Sequence, residues 1–356
     1  MKIALFSTSL PEPHRKPGGV DVHVQRLAER LALRGHRVDM YTFSPRVREG
    51  PYRHMQLSPR SIRHHKLARL MVVPLLLNRI TPDADVLHLH GDDWFFVKRS
   101  LPTVRTLHGS ALWEARTAER LRRRLACGVT FPLEIVASRL ATAAYEVAPG
   151  SGRAFATCGT LPNATEVEPR QVRRAARPTI LFVGTWRGRK RGWLLAQAFA
   201  REVRPELPGA RLVMVSDHVE PAPGIEHVVR PSDQQVATLV GEAWVMCLPS
   251  TYEGFGIPYI DALAAGTTVV ATPNPGARYV LENGRAGILS NDEGLGQALL
   301  HTLRDPGLRL RLAERGRIRS RAFAWDRVLD LHEQAYEDAC HRWTARRDRT
   351  RLCGDV

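Results

Sequence analysis

Short apolar runs alternate along the chain with longer stretches in which apolar residues recur every three or four positions. Ile3–Phe6, Val38–Phe43, Val86–Leu89, Val104–Leu107 and Glu146–Ala148 read as strands of a first unit. Ile180–Val183, Leu212–Val215, His227–Val229, Trp244–Leu248 and Thr268–Ala271 read as strands of a second. Runs that are apolar throughout suit strands covered on both faces, as in parallel sheets. The intervening stretches read as amphipathic helices. In the first, Val20, Val24, Leu27, Ala28 and Leu31 share a face and Gly35 ends the helix. Strict β–α alternation predicts an α/β protein with two doubly wound, Rossmann-like domains facing a cleft. Ligands are expected at the carboxyl ends of the strands.

The 356 residues suffice for two cores. The expected division is a first domain over 1–164, a polar linker over 165–177 and a second domain over 178–322. A helix over 323–341 is expected to cross back to the first domain, followed by a basic tail over 342–356 without periodicity.

The formal net charge is +16, and 47 of the 52 basic residues are Arg. A solvated Arg-rich surface explains most of this. Two concentrations, Arg60–Arg69 and Arg116–Arg124, invite a second reading. The latter precedes the apolar stretch Leu125–Val136, a pattern that allows a helix lying on a membrane face. The basic first domain is therefore a candidate for peripheral membrane contact. No nucleic-acid recognition motif accompanies the charge, so nucleic acid is not an expected partner. The N-terminal apolar run of four residues is too short for a secretory leader, and the expected location is cytoplasmic, at most peripheral to the inner membrane face. Five scattered cysteines show no metal or disulfide spacing. His88, His90 and His108 lack a carboxylate or Cys partner at ligand spacing, so no metal site is expected. Only one of His88 and His90 is expected to reach the cleft.

The segment Cys247–Ala271, CLPSTYEGFGIPYIDALAAGTTVVA, carries the chemistry. A strand gives way to a tight loop with Gly254 and Gly256 on either side of Phe255, and Pro258 then starts a helix. Free N–H groups at such a helix start suit a diphosphate. Glu253 before the loop and Asp261 one turn into the helix suit sugar hydroxyls. Gly18 and Gly19 sit at the first βα turn, again at the cleft edge. Arg189 and Lys190 follow the first strand of the second unit.

EGFGIPYIDALAAG resembles the hallmark of the retaining glycosyltransferases of family 4, a Glu, seven residues and a second Glu within EGFGxPxxEAxAxG. Asp261 stands where the family has Glu. LFVGTWRGRKRGWLLAQAFA (181–200), NPGARYVLENGRAGIL (274–289), PGGVDVHVQRLAERLALRGHRV (17–38), DVLHLHG (85–91), TLHG (106–109) and LPNAT (161–165) extend the resemblance over nearly the whole chain. It implies the GT-B fold and a retaining, metal-independent sugar transfer from a nucleotide-sugar donor, a UDP-sugar being expected. The acceptor would be a sugar, a lipid-linked group or a small molecule. The resemblance gives Arg189 and Lys190 the donor diphosphate, Glu253 the sugar hydroxyls, Asp261 the ribose and His108 the transferred sugar. Backbone groups at Gly18, Gly19, Phe255 and Gly256 would line the donor. No Asp-x-Asp triplet is expected in the chain to hold a cation. A sugar-nucleotide epimerase, a phosphorylase or a catalytically silent binding homologue remain alternatives on the same fold.

Overall fold

The computed structural model describes residues 1–12, 18–46, 49–57, 72, 75–118, 120–150, 155–165 and 173–352. The basic stretch Arg60–Arg69 and linker residues 166–172 lie outside the described residues. Two parallel sheets form the molecule. The first contains β1 (Lys2–Phe6), β2 (Arg37–Thr42), β3 (Arg53–Gln56), β4 (Val86–Leu89), β5 (Thr103–Leu107), β6 (Ala143–Glu146) and β7 (Gly159–Thr160). The second contains β8 (Thr179–Val183), β9 (Arg211–Val215), β10 (Ile225–Val228), β11 (Val245–Leu248), β12 (Thr268–Ala271) and β13 (Ile288–Leu289). Their orders are β3-β2-β1-β4-β5-β6-β7 and β10-β9-β8-β11-β12-β13. Each sheet therefore reverses direction beside its first strand, between β1 and β4 and between β8 and β11. Crevices for ligands open at those points.

Among the helices are α1 (Gly19–Leu33), α2 (Ala111–Thr117), α3 (Leu121–Leu140), α4 (Gly192–Ala198), α5 (Asp233–Glu242), α6 (Ile257–Ala264), α7 (Pro275–Val280), α8 (Leu295–Arg304), α9 (Pro306–Ser320) and α10 (Trp325–Leu352). The face expected for α1 is the buried one, with Val24, Leu27, Ala28 and Leu31 inaccessible. α10 brings Val328, Leu329, Tyr336 and Ala339 into the same core, beneath the first sheet. Arg34 after α1 binds Asp330 at 2.7 Å and Glu333 at 2.9 Å on α10. The two chain crossings pair with each other where Thr165 N donates to the Phe323 carbonyl at 3.0 Å.

Four expectations change. β3, β7 and β13 were not expected, because each is a short sheet edge, paired on one side only, and gives little apolar signal. β6 lies at Ala143–Glu146 rather than Glu146–Ala148, since its two small Ala residues give a weak signal. α10 continues through Leu352, past the expected break at 342. The linker also carries a structural cation. Arg174 donates to the carbonyls of Gly241, Ala243, Ala265 and Gly266 (2.5, 2.9, 3.1 and 2.5 Å), satisfying backbone groups where α5 and α6 end.

Candidate active site

The second-domain wall of the cleft is built by the loops after β8, β11 and β12. Gly184 ends β8 where a Cβ would come within 2.8 Å of the Phe182 ring and 3.1 Å of Lys190 Cβ, so the following turn folds tightly back. That turn is stapled to the neighbouring loop by Thr251 N donating to the Arg189 carbonyl at 2.9 Å. Arg189 Nη1 then reaches Glu253 Oε2 at 2.8 Å and the Tyr252 carbonyl at 2.8 Å, while Lys190 Nζ meets Glu253 Oε1 at 2.7 Å. Glu253 is 4% exposed. Burial pushes its pKa up, but Lys190 and Arg189 outweigh burial and hold it below the usual carboxylate value. Arg191 turns elsewhere, to the Pro249 carbonyl at 2.7 Å and to Asp292 at 2.6 Å. Arg187 is exposed. The basic run thus divides its work, and only Arg189 and Lys190 face Glu253.

Gly256 has φ +91°, and any Cβ there would strike the Tyr259 ring. This left-handed turn starts α6, with Pro258 in its first turn. Asn274 caps α7 by accepting from Ala277 N at 2.9 Å, and its amide donates to the Ser250 carbonyl at 3.1 Å. The loops after β11 and β12 are thereby tied together. Asp261 Oδ1 accepts from Thr165 Oγ1 at 2.8 Å, at the junction between the two sheets.

Across the cleft, Gly19 opens α1, and a Cβ there would lie 3.6 Å from Ile257 Cδ1 at the start of α6. Two helix N-termini therefore meet. The His108 carbonyl packs against Gly254 so closely that any Cβ at Gly254 would collide with it. Tyr252 Oη accepts from Ser110 N at 2.7 Å, and its ring stacks on Trp113 at 6.0 Å. Behind His108 lies a group of imidazoles. His108 Nε2 and His90 Nδ1 are 2.9 Å apart, and the rings of His88 and His90 are 4.0 Å apart. Two residues apart on a strand, His88 and His90 share a face. His88 is locked between Tyr336 Oη (2.9 Å) and Thr106 Oγ1 (2.8 Å), and His90 alone bridges to His108. Burial drives His108 down to about 3 and His332 to about 4, and it pulls His23, His88 and His90 well below the normal imidazole value. All five are neutral at pH 7. His23 Nδ1, His90 Nε2 and His108 Nδ1 are buried without a hydrogen-bond partner among the described residues.

One Asp-x-Asp triplet does exist, Asp83-Ala84-Asp85, just before β4 and so at the opposite end of the strand from the cleft. Asp83 pairs with Lys2 at 3.1 Å and Arg37 at 2.9 Å, and Asp85 accepts from Lys2 N at 2.8 Å.

The family model for "Glycosyltransferase Family 4" matches residues 17–146, and that for "Glycosyl transferases group 1" matches residues 177–305. Phosphatidyl-myo-inositol mannosyltransferase of Mycolicibacterium smegmatis is 27% identical over 90% of both chains. That of Mycobacterium leprae is 28% identical over 90% of this chain and 93% of its own. The chain is a family-4-like glycosyltransferase. Among solved structures, sucrose-phosphate synthase from Thermosynechococcus elongatus superposes with a TM-score of 0.74 at 21% identity, over 94% of this chain and 98% of its own. Anabaena Alr3699/HepE in complex with UDP and glucose gives 0.71 at 16% identity, over 95% and 99%. These likenesses place the transferase in the GT-B fold.

The transferase brings Glu253, Arg189 and Lys190 into one cluster and sets Gly19 and His108 against the α6 loop. Other expected residues sit differently. Phe255 turns its ring inward onto Phe323 (5.4 Å) and Tyr279 (6.2 Å), leaving only its backbone for a ligand. Gly18 N already donates to Asp21 at 3.2 Å. Asp261 is engaged by Thr165. Sequence reasoning missed Tyr252 and Asn274, and left the choice between His88 and His90 open. Tyr252 and Asn274 border the best motif, yet their roles depend on partners in other loops.

Proposed function

We propose that this transferase moves a sugar from a nucleoside diphosphate sugar, a UDP-sugar, to a hydroxyl of a sugar, lipid-linked or small-molecule acceptor. Configuration is retained, no divalent cation takes part, and the reaction runs on the cytoplasmic side. The observation that carries the reading is the Arg189–Lys190–Glu253 cluster at the carboxyl ends of β8 and β11.

In the reaction, the bond between the anomeric carbon and the β-phosphate oxygen breaks, and that carbon bonds to the acceptor oxygen. Negative charge gathers on the departing diphosphate. Arg189 and Lys190 meet it as cations already fixed in place, the arrangement that lowers such barriers most. Held between Glu253 and the phosphate, they leave carboxylate lone pairs free to accept hydrogen bonds from sugar hydroxyls. Backbone N–H groups near Gly19 and Gly256, at two helix starts, add to the field on the phosphates. Neutral His108, backed by His90, offers a nitrogen to a sugar hydroxyl, and Asp261 to the ribose. Retention follows when the acceptor enters on the face that the phosphate leaves, its proton passing to the departing phosphate oxygen.

The mannosyltransferases above make mannose the first sugar to try, and the UDP complex makes UDP the first base. A thermal-shift panel of UDP, GDP, ADP and TDP with their sugars, run in chelator, tests the donor site. A ligand at about one hundred times its Kd adds roughly 2.7 kcal/mol of stability. Silence from every nucleotide removes the metal-free site. Product analysis with a labelled donor then separates transfer from epimerisation or phosphorolysis.

A further inference from the structure

We infer that the outer face of α3 docks on the surface of an anionic phospholipid bilayer. Leu121, Leu125, Val129, Pro132, Val136 and Leu140 recur so that, at 3.6 residues per turn, they fill one arc of about 100° along about 28 Å of helix. Soluble proteins turn such stripes inward. Here the stripe faces out, with Leu121 68%, Leu125 63%, Val129 58%, Val136 49% and Leu140 40% exposed. The helix is held from its other side. Arg123 reaches Glu114 on α2 at 3.1 Å, Ala111 N donates to Glu134 at 3.1 Å, and Ala137 and Ser138 are buried.

Charge identifies the occupant. α3 contains four Arg and a single acidic residue, Glu134, which lies on the inner face. Arg120, Arg122 and Arg124 are exposed at the N-terminal end of the stripe, and Arg139 is exposed at its C-terminal end. Long Arg side chains on the edge of an apolar stripe reach phosphate headgroups while the aliphatic residues enter the acyl boundary. A second copy fits poorly, because a two-fold contact sets the same Arg fringe against itself. A protein partner fits poorly too, since the stripe has no Trp or Tyr to anchor it. No helix among the described residues is long and apolar enough to cross a membrane, so the contact is peripheral.

The surface lies one helix behind the cleft. Glu134 touches the first residue of α2, and Ser110 beside it is bonded to Tyr252 of the second domain. The inference deepens the proposed reading, and rests on it, in assigning an amphiphilic acceptor held at the bilayer face.

Flotation of the full chain with vesicles tests it, using phosphatidylcholine alone and phosphatidylcholine with phosphatidylglycerol. The chain is expected to float with the anionic vesicles. L125E/V129E and, separately, R122E/R124E are expected to reduce the bound fraction about tenfold or more, as loss of the apolar and the ionic parts demands. Melting points and nucleotide-induced shifts stay at wild-type values, since these exposed sites carry little folding energy. Wild type left unbound at low salt overturns the inference, and a persisting nucleotide shift would leave the transferase reading standing. Flotation unaffected by L125E/V129E also overturns it. So does a dimer seen by sedimentation that these substitutions dissolve.

Discussion

Replacing Lys190 by Met keeps most of the side chain's length and removes its charge. Lys190 Nζ sits 2.7 Å from Glu253 Oε1, with the lysine side chain 16% and the glutamate 5% exposed. Two losses follow. In the resting protein Glu253 keeps one of its two cations, Arg189 at 2.8 Å. Removing one partner of a buried pair costs about 3–5 kcal/mol when nothing else compensates. With Arg189 remaining, the loss of one hydrogen bond to a charged group, about 1.5–3 kcal/mol, is the better guide. In the proposed transfer one fixed cation would be missing from the departing diphosphate, worth about 3 kcal/mol or about a hundredfold in turnover. The assays are thermal unfolding, nucleotide titration and turnover of a labelled donor. Lys190→Met and Glu253→Gln also form a double-mutant cycle. If the pair is coupled, Lys190→Met costs clearly less stability in the Glu253→Gln background than alone. A folded Lys190→Met protein with turnover within threefold of wild type would refute the assignment.

Three further outcomes are expected. Gly254→Ala sets a Cβ against the His108 carbonyl and holds the two walls apart. Turnover should fall about a hundredfold, as for other small misplacements of reacting groups, with an enlarged radius of gyration in solution scattering; wild-type turnover would contradict it. Burial raises the Glu134 pKa to about 7 against the opposing Ala111 N–H and Arg105, with Glu114 and Asp92 adding to the rise. The folded state then binds more protons than the unfolded between about pH 4.5 and 7, so stability is lost as pH rises through that window. Glu134→Gln should gain on wild type by up to about 3 kcal/mol at pH 8 and not at pH 4, and parallel unfolding profiles would disprove it. Asp261→Asn should weaken nucleotide binding by about 1.5–3 kcal/mol, while Thr165→Val, which removes only the partner, should not; equal affinity for wild type and Asp261→Asn ends the ribose role.

Much of the fold was legible because central parallel strands are apolar on both faces. Ile180–Val183 and Val86–Leu89 announce themselves without any partner in view. Edge strands do not, since Arg53–Gln56 is half solvated and needs only one neighbour to exist. The Arg-rich composition misleads in a particular way. It reads as solvated charge, yet Arg105 is 2% exposed and bonds Asp93 at 2.8 Å inside the first domain. Arg174 spends its guanidinium on carbonyls. Within the site, Glu253 was legible from its spacing to the glycines and to Asp261. The choice among Arg187, Arg189, Lys190 and Arg191 was not, because these neighbours lie in a tight turn with left-handed backbone at Gly188 (φ +73°) and Arg191 (φ +52°), which sends Arg189 and Lys190 to Glu253 and Arg191 to Asp292.

What the sequence withholds is which faces meet. Periodicity reports that a face is buried, never against what. Gly254 against His108, Tyr252 against Ser110 and Asp261 against Thr165 all join residues on opposite sides of the cleft, 96 to 146 positions apart along the chain. Each belongs to the segment Thr251–Asp261, which also carries Glu253. The segment that presents the carboxylate and the α6 start is thus also the one that touches the opposite wall. Any motion that separates the sheets must break the Tyr252–Ser110 bond, and Tyr252 also supplies the carbonyl that holds Arg189. The residue that ties the two walls together is thus the one that holds Arg189 beside Glu253. The candidate site is framed by contacts from both walls of the cleft, which is why neither half of the sequence, read alone, describes it.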